Sequence, residues 1–144
     1  MVENFEKERY LGKWYEIARL PNRFEKDLHY VTAYYSTRAD GKIGVLNEGR
    51  KPDGQTSSAK GKAKFASDST KGHLKVSFFG PFYADYCILE LDPEYRSALI
   101  ASAGTKYLWI LSRTPVLDEA TTAKYIARAR EMGFPVETLE MIKQ

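Results

Sequence analysis

Residues Tyr10–Leu11–Gly12–Lys13–Trp14–Tyr15–Glu16–Ile17–Ala18–Arg19–Leu20 carry aromatic, β-branched and aliphatic side chains at the density of a strand. Gly12 stands two positions before Trp14, a spacing that lets the chain enter tightly and brings the large ring over neighbouring backbone. A glycine beside a core tryptophan is common, so this stretch decides the fold only through what the other segments require of it.

Outward from it, the period of two recurs. Residues 30–38 and 43–50 are extended runs joined by Asp40–Gly41, a strong short-range hairpin signal. Alternation puts Val31, Ala33 and Tyr35 on one face of the first run, and Ile43, Val45 and Asn47 on one face of the second. The turn at Lys51, Pro52, Asp53 and Gly54 leads into residues 57–66, where Ala59, Gly61, Ala63 and Phe65 alternate with Ser58 and three lysines. Residues 73–79 set Leu74, Val76 and Phe78 against Lys75 and Ser77. After Gly80 and Pro81, residues 83–91 carry apolar side chains on both faces, the pattern of a strand with a helix against one side. Asp92, Pro93 and Glu94 turn into residues 95–102, and the turn from Ala103 to Lys106 leads into residues 107–113. With the first run, these make eight strands at near-regular spacing.

Asp118 is a natural helix N-cap, and Gly133 and Pro135 are natural stops, which predicts a helix running to Met132. Its apolar stripe is Thr122, Tyr125, Ile126, Ala129 and Met132. Residues 1–9 predict a short helical turn carrying Phe5 as a plug or flap. Residues 21–28 predict an ordered loop with Phe24 and Leu28 as partial cover, and residues 139–142 a short edge strand.

The 144 residues suit a single domain spanning 1–144 with one core. Net charge is +3, with lysines and arginines scattered among acids, which disfavours nucleic acid as a partner but leaves weak attraction to anionic head groups at a membrane surface open. The single cysteine, Cys87, excludes an intramolecular disulfide. No apolar run approaches the ~18 residues of a membrane-spanning helix. The first residues lack an export signal, so as written the chain reads as soluble and unexported.

Eight hairpin-linked strands can close up and down on themselves, which removes exposed edges. A sandwich is the alternative, but successive short turns favour sequential neighbours over Greek-key crossings. The expected fold is therefore all-β: an eight-stranded antiparallel up-and-down barrel with one C-terminal helix packed outside. A closed barrel of this size can enclose one small ligand.

Three separated motifs carry a resemblance to a known family. Gly12–Lys13–Trp14–Tyr15–Glu16–Ile17 lies on the first strand, Leu91–Asp92–Pro93–Glu94–Tyr95 at the turn after the sixth, and residues 108–115, from Leu108 through Arg113 to Pro115, on the eighth. Together they resemble the lipocalins over nearly the whole chain, and residues 74–83 are similar to the bacterial subgroup related to apolipoprotein D. The resemblance implies that Arg113 lies across the closed end of the barrel against Trp14, with Gly12 allowing close passage. It also implies that Asp92 and Tyr95 belong to that end. These five residues are read as structural.

With the parity set by Trp14 and Arg113, Trp109 and Leu111 also point inward, joining Val31, Ala33, Tyr35, Ile43, Val45, Ala63, Phe65, Leu74, Val76 and Phe78 as an apolar ligand-binding lining. Small residues at 33, 61 and 63 favour an unfilled cavity, unless Trp109 and Phe78 occupy the volume. Tyr35 and Asn47 either meet a polar ligand atom or satisfy each other and buried water. The expected ligand is a fatty acid or lysophospholipid, the class the resemblance implies, with no cofactor and no metal.

Catalysis is the competing class. His29 and His73 stand in no metal or triad spacing, and a lipocalin-fold enzyme would have to work through Cys87, which needs a nearby base. Glu16 shares the inward parity of Trp14 and reads as a partner for Arg113 or solvent. A homodimer through the mouth is permitted by Phe24, Leu28 and the turn at 79–82. The bacterial relatives implied by the resemblance are outer-membrane lipoproteins with a lipidated N-terminal cysteine. Without such a cysteine in the sequence, two expectations stand: a periplasmic or outer-membrane protein shown without its export segment, or a cytoplasmic one.

Overall fold

In a computed structural model of the protein, residues 1–102 and 104–144 are described. Ala103, which the sequence places at the start of the last inter-strand turn, lies outside the described residues. A short helix α1 (Lys7–Tyr10) precedes eight strands: β1 (Gly12–Arg19), β2 (His29–Thr37), β3 (Ile43–Arg50), β4 (Thr56–Phe65), β5 (His73–Phe79), β6 (Phe82–Leu91), β7 (Ser97–Ser102) and β8 (Tyr107–Ser112). Helix α2 (Glu119–Glu131), a 3-10 turn (Val136–Thr138) and a two-residue strand β9 (Glu140–Met141) follow.

Each strand from β2 to β7 pairs antiparallel with its successor, and β1 closes the ring by pairing with both β2 and β8. The predicted barrel and its single external helix are therefore the observed architecture. β1 does its two pairings in different halves: Gly12 to Tyr15 lie against β2, while Tyr15 to Arg19 lie against β8. A bulge between Glu16 and Ala18 lies within the half paired to β8, and β9 takes the edge that β1 leaves free at Ala18 and Arg19. A second bulge lies between Ile88 and Glu90 on β6.

Period two sorts the apolar side chains into two cores. Inside the barrel, Trp14, Ala33, Tyr35, Ile43, Val45, Ala63, Leu74, Ile88, Ile100 and Leu111 pack together. Outside it, Ile17, Leu99, Leu108 and Ile110 pack against Tyr125 and Ala129 of α2 and against Phe134 and Val136 beyond it. The helix is the outer wall of this second core, so β6 to β8 are apolar on both faces. Asp118 caps it by accepting a hydrogen bond from the Thr121 amide at 2.9 Å. Met132, placed on the apolar stripe by the helical wheel, is 38% exposed because the helix ends at Glu131 and the chain turns through Gly133 at φ +90°. Among the described residues, no helix is long and apolar enough to cross a membrane.

One end of the barrel is sealed by the N-terminal segment. Phe5 is buried between Tyr10, Phe65 and Tyr95, and the Phe5 amide donates to the Thr70 carbonyl. Tyr95, read as the first residue of the seventh strand, sits in the preceding turn with φ 59°, and β7 begins at Ser97. That backbone twist turns its ring inward to stack on Phe5.

Candidate functional site

The barrel interior is built from its sealed end upward. Trp14 is fully buried, and its indole N–H donates to the Tyr10 carbonyl at 2.8 Å. The Arg113 guanidinium lies 3.9 Å from the centre of the Trp14 ring. Gly12, at φ +104°, passes so close that a Cβ there would stand 3.3 Å from Arg113 Nη1. Asp92 accepts from the amides of Glu94 and Arg96 and from the Arg96 side chain, whose contact holds the Asp92 carboxyl below the usual carboxylate range. The Tyr95 hydroxyl accepts from the Glu6 amide at 2.9 Å.

Above this floor three tyrosines form a buried relay. The Tyr86 hydroxyl is hydrogen-bonded to that of Tyr10 at 2.6 Å and to that of Tyr35 at 2.9 Å. Burial pushes the Tyr35 hydroxyl up to about 12 and raises Tyr10 and Tyr86 well above the ordinary phenol range, so all three stay neutral. Tyr35 therefore pairs with Tyr86, not with Asn47. Asn47 is half-buried between Ala33 and Ala59 in register.

The apolar wall follows the predicted parity. Ala33, Ile43, Val45, Ala63, Leu74 and Leu111 are buried in the central cluster, and Phe65, Val76, Phe78 and Trp109 pack against it half-buried. Val31 is buried beside Gly49, where a glycine Cβ would stand 3.1 Å from Val31 Cγ2. The space opposite Gly61 is not vacant: a Cβ there would lie 2.5 Å from the Ser77 carbonyl oxygen and 2.7 Å from the Phe78 ring. The small residue at 61 makes room for a neighbouring aromatic side chain, which corrects its reading as a sign of unfilled volume.

At the other end, residues 21–28 fold over the mouth and send Glu25 inward. Glu25 Oε1 accepts from Trp109 Nε1 at 2.8 Å and from Asn22 Nδ2 at 3.0 Å. Arg19, only 1% exposed, stands beside it, with Nη1 3.4 Å from Glu16 and 3.6 Å from Glu25. Burial, then the adjacent Glu25, raises the Glu16 carboxyl well above the carboxylate range. The partner of Glu16 is thus Arg19 and not Arg113, which is at the opposite end. Sequence reasoning missed Arg19 because the bulge after Glu16 reverses the alternation, and missed Glu25 because loop residues carry no parity. An open depression of about 400 Å³ lies at this mouth, between Phe24, Lys26 and Leu28 on one side and Lys51, Pro52 and Ser57 on the other. None of the inward residues read from the sequence lines it.

The candidates for catalysis are dispersed. Tyr86 and Ile88 point inward, so Cys87 between them faces outward, where burial raises its thiol. His73, opposite Cys87 in register, is hydrogen-bonded to Asp85 at 2.9 Å instead. Among the described residues no group of three or more His, Cys, Asp or Glu is placed to hold a metal ion.

A closed antiparallel barrel with a stacked Trp–Arg floor, an apolar wall and a loop-covered mouth defines the calyx class of proteins. A family model described as a lipocalin-like domain matches residues 5–144. The chain belongs to the lipocalin family, which binds small hydrophobic ligands. It is 49% identical to the outer membrane lipoprotein Blc of Citrobacter freundii over 145 residues, covering 100% of this chain and 82% of that protein. It is 39% identical to apolipoprotein D of Rattus norvegicus over 140 residues, covering 90% of this chain and 73% of that protein. Among solved structures, insecticyanin from the tobacco hornworm Manduca sexta superimposes with a TM-score of 0.80 at 20% identity, covering 99% of this chain and 82% of that one, a likeness of fold.

Proposed function

We propose that the protein binds a fatty acid or lysophospholipid and carries or stores it, with the acyl chain in the barrel and the head group toward the mouth. The observation that carries this reading is the inner wall, in which apolar side chains run from the Trp14 floor to Trp109 while the hydroxyls of Tyr10, Tyr35 and Tyr86 bond to one another and the Trp109 N–H is taken up by Glu25. The ligand contacts on this reading are Val31, Ala33, Tyr35, Ile43, Val45, Asn47, Ala63, Phe65, Leu74, Val76, Phe78, Trp109 and Leu111. Gly12, Trp14, Asp92, Tyr95 and Arg113 hold the floor. Each methylene moved from water into this wall contributes roughly 0.8 kcal/mol, so chain length sets affinity and selectivity among acyl chains is loose. Phe78 yields as the chain enters, since it now fills the space over Gly61.

On this reading the protein is a carrier and not an enzyme, which the outward position of Cys87 supports. Phe24 on the loop after β1, and Phe79 and Phe82 at the paired ends of β5 and β6, at 65%, 75% and 77% exposure, stand at the open end and support contact of the mouth with a membrane surface or a second copy of the chain.

The test is solvent extraction of the purified protein with mass spectrometry of the extract, followed by titration with a fluorescent fatty acid while tryptophan emission is read. Co-purifying acyl lipid and quenching reversed by unlabelled fatty acid are expected. Saturating ligand with neither quenching nor displacement overturns the reading.

A further inference from the structure

We propose that Arg19 is the anchor for an anionic head group, carboxylate or phosphate, and that the Glu25 side chain is a built-in occupant of that anchor which the ligand displaces. The proposal rests on the acyl-ligand reading above and assigns the regulation of that site.

A guanidinium that is 1% exposed requires close anionic partners, since an unpaired buried charge is costly. Arg19 has three carboxylates near it, and all are loose: Glu16 at 3.4 Å, Glu25 at 3.6 Å and Glu140 at 3.7 Å, against about 2.7–2.9 Å for a well-formed charge-assisted bond. Its Nε–H is buried without any hydrogen-bond acceptor. The short bonds go to backbone: Nη2 donates to the Glu25 carbonyl at 2.7 Å and the Leu28 carbonyl at 3.0 Å. Arg19 therefore ties down the loop while its charge remains under-satisfied.

The location is inside the barrel. Arg19 stands opposite Trp109 in register, and Glu16 opposite Leu111, both on the inner wall. The charged and titratable groups gathered there are Glu16 and Arg19 from β1, Glu25 from the loop, Glu140 from β9 and the Tyr35 hydroxyl from β2, which feels both Glu16 and Glu25. Only Glu25 is carried on a loop, which leaves it free to leave without disturbing a strand. An incoming carboxylate or phosphate would offer Arg19 and the Trp109 N–H the same acceptor oxygens and supply one for the orphaned Nε–H. Glu25 would then move into water with residues 21–28, opening the mouth. Loop and head group thus compete for one cation, and apparent affinity for an acidic lipid is reduced by the fraction of time the latch is shut.

The experiment compares a C18 fatty acid, its methyl ester and a lysophosphatidic acid of matched chain on the wild type and on Glu25→Gln, by displacement of a fluorescent acyl probe. Glutamine keeps an acceptor for Trp109 but gives up the charge on Arg19. The variant is expected to bind the acidic lipids about tenfold more tightly while its affinity for the ester stays the same. The carboxylate and phosphate arms report which head group the anchor prefers. Trypsin supplies a separate readout, because Arg23 and Lys26 lie exposed on the latch: cleavage there should accelerate when the wild type binds an acid, and should not when it binds the ester. An equal shift for acid and ester in Glu25→Gln, or no shift for either, overturns the anchor while leaving the acyl-ligand reading intact. Failure of the wild type to bind acid and ester alike removes that reading and the anchor with it.

Discussion

The Arg113 guanidinium covers the Trp14 ring at 3.9 Å while its nitrogens donate to three carbonyls, those of Tyr95 at 3.1 Å, Lys13 at 3.1 Å and Arg9 at 2.7 Å. One side chain from the end of β8 thereby ties α1, the start of β1 and the β6–β7 turn to a single ring. Truncation of that ring in Trp14→Ala is expected to cost about 3 to 5 kcal/mol of stability, as for other large core residues. Acyl-probe affinity of the folded fraction should change little, because the contact is beneath the proposed acyl site. Urea unfolding alongside probe titration checks both, and a weakened affinity with an unchanged unfolding midpoint would contradict the assignment of Trp14 to the floor.

Arg113→Lys retains the charge but cannot span three carbonyls in a plane. Losing charge-assisted bonds to these carbonyls is expected to lower stability by about 1 to 3 kcal/mol, measured by the same unfolding curves. A lysine variant as stable as the wild type would show that charge over the ring, and not the carbonyl clamp, is what matters there.

Phe78 and Gly61 are expected to behave as a lock and its keyhole. Gly61→Ala drives a methyl group into the Ser77 carbonyl and the Phe78 ring, and overpacking of this kind should cost about 1 to 3 kcal/mol. Phe78→Ala does the reverse, clearing the volume above Gly61, and should raise affinity for bulkier or branched acyl probes more than for straight ones. Equal affinities for both probe types in Phe78→Ala would show that the ring does not limit the interior.

Glu16 gives the protein a pH dependence of definite sign. Its carboxyl is held well above the 4.5 of an ordinary glutamate, so the folded state keeps a proton that the unfolded chain has already released. The stabilisation is complete below that value and is lost as pH rises through the raised folded value. Asp40, Asp85 and Asp92 are depressed by their Arg38, His73 and Arg96 partners and act oppositely, giving up stability only as acid protonates them. Unfolding midpoints are therefore expected to fall as pH rises above 4.5, and Glu16→Gln should flatten that slope while leaving the acid limb in place. A slope identical in the variant would assign the dependence elsewhere.

Cys87→Ser should leave lipid binding unchanged, and the native thiol should alkylate slowly at neutral pH, since burial and the neighbouring Asp85 disfavour the thiolate. Rapid labelling accompanied by loss of binding would instead place the thiol on the ligand path.

The strands were legible because period two survives wherever one face meets the core: residues 43–50 and 73–79 match β3 and β5 end for end. What escaped reading lay where a single extra residue shifts the phase. The bulge after Glu16 sends both Ile17 and Ala18 outward to the helix and turns Arg19 in, and the bulge at Ile88 leaves Leu89 outside while Leu91 packs inside. No pattern of hydrophobicity marks such an insertion. Tyr95 was misplaced for a related reason, since an aromatic side chain argues for a strand whereas its positive φ belongs to a turn. Tyr10 and Tyr86 could not be paired with Tyr35 from sequence, because a relay of hydroxyls depends on how three separate elements converge.

The ladder between β1 and β8 joins Glu16 to Leu111, so the two halves of one seam lie at nearly opposite ends of the polypeptide. Hairpins from β2 to β7 can form as each is made, but none of them encloses anything. The interior comes into being only when the seam closes, a contact of long sequence separation that pays its loop entropy late and slowly. A partly synthesised chain therefore has no sheltered place to hold a small hydrophobic ligand, and binding competence arrives in a single late step of folding.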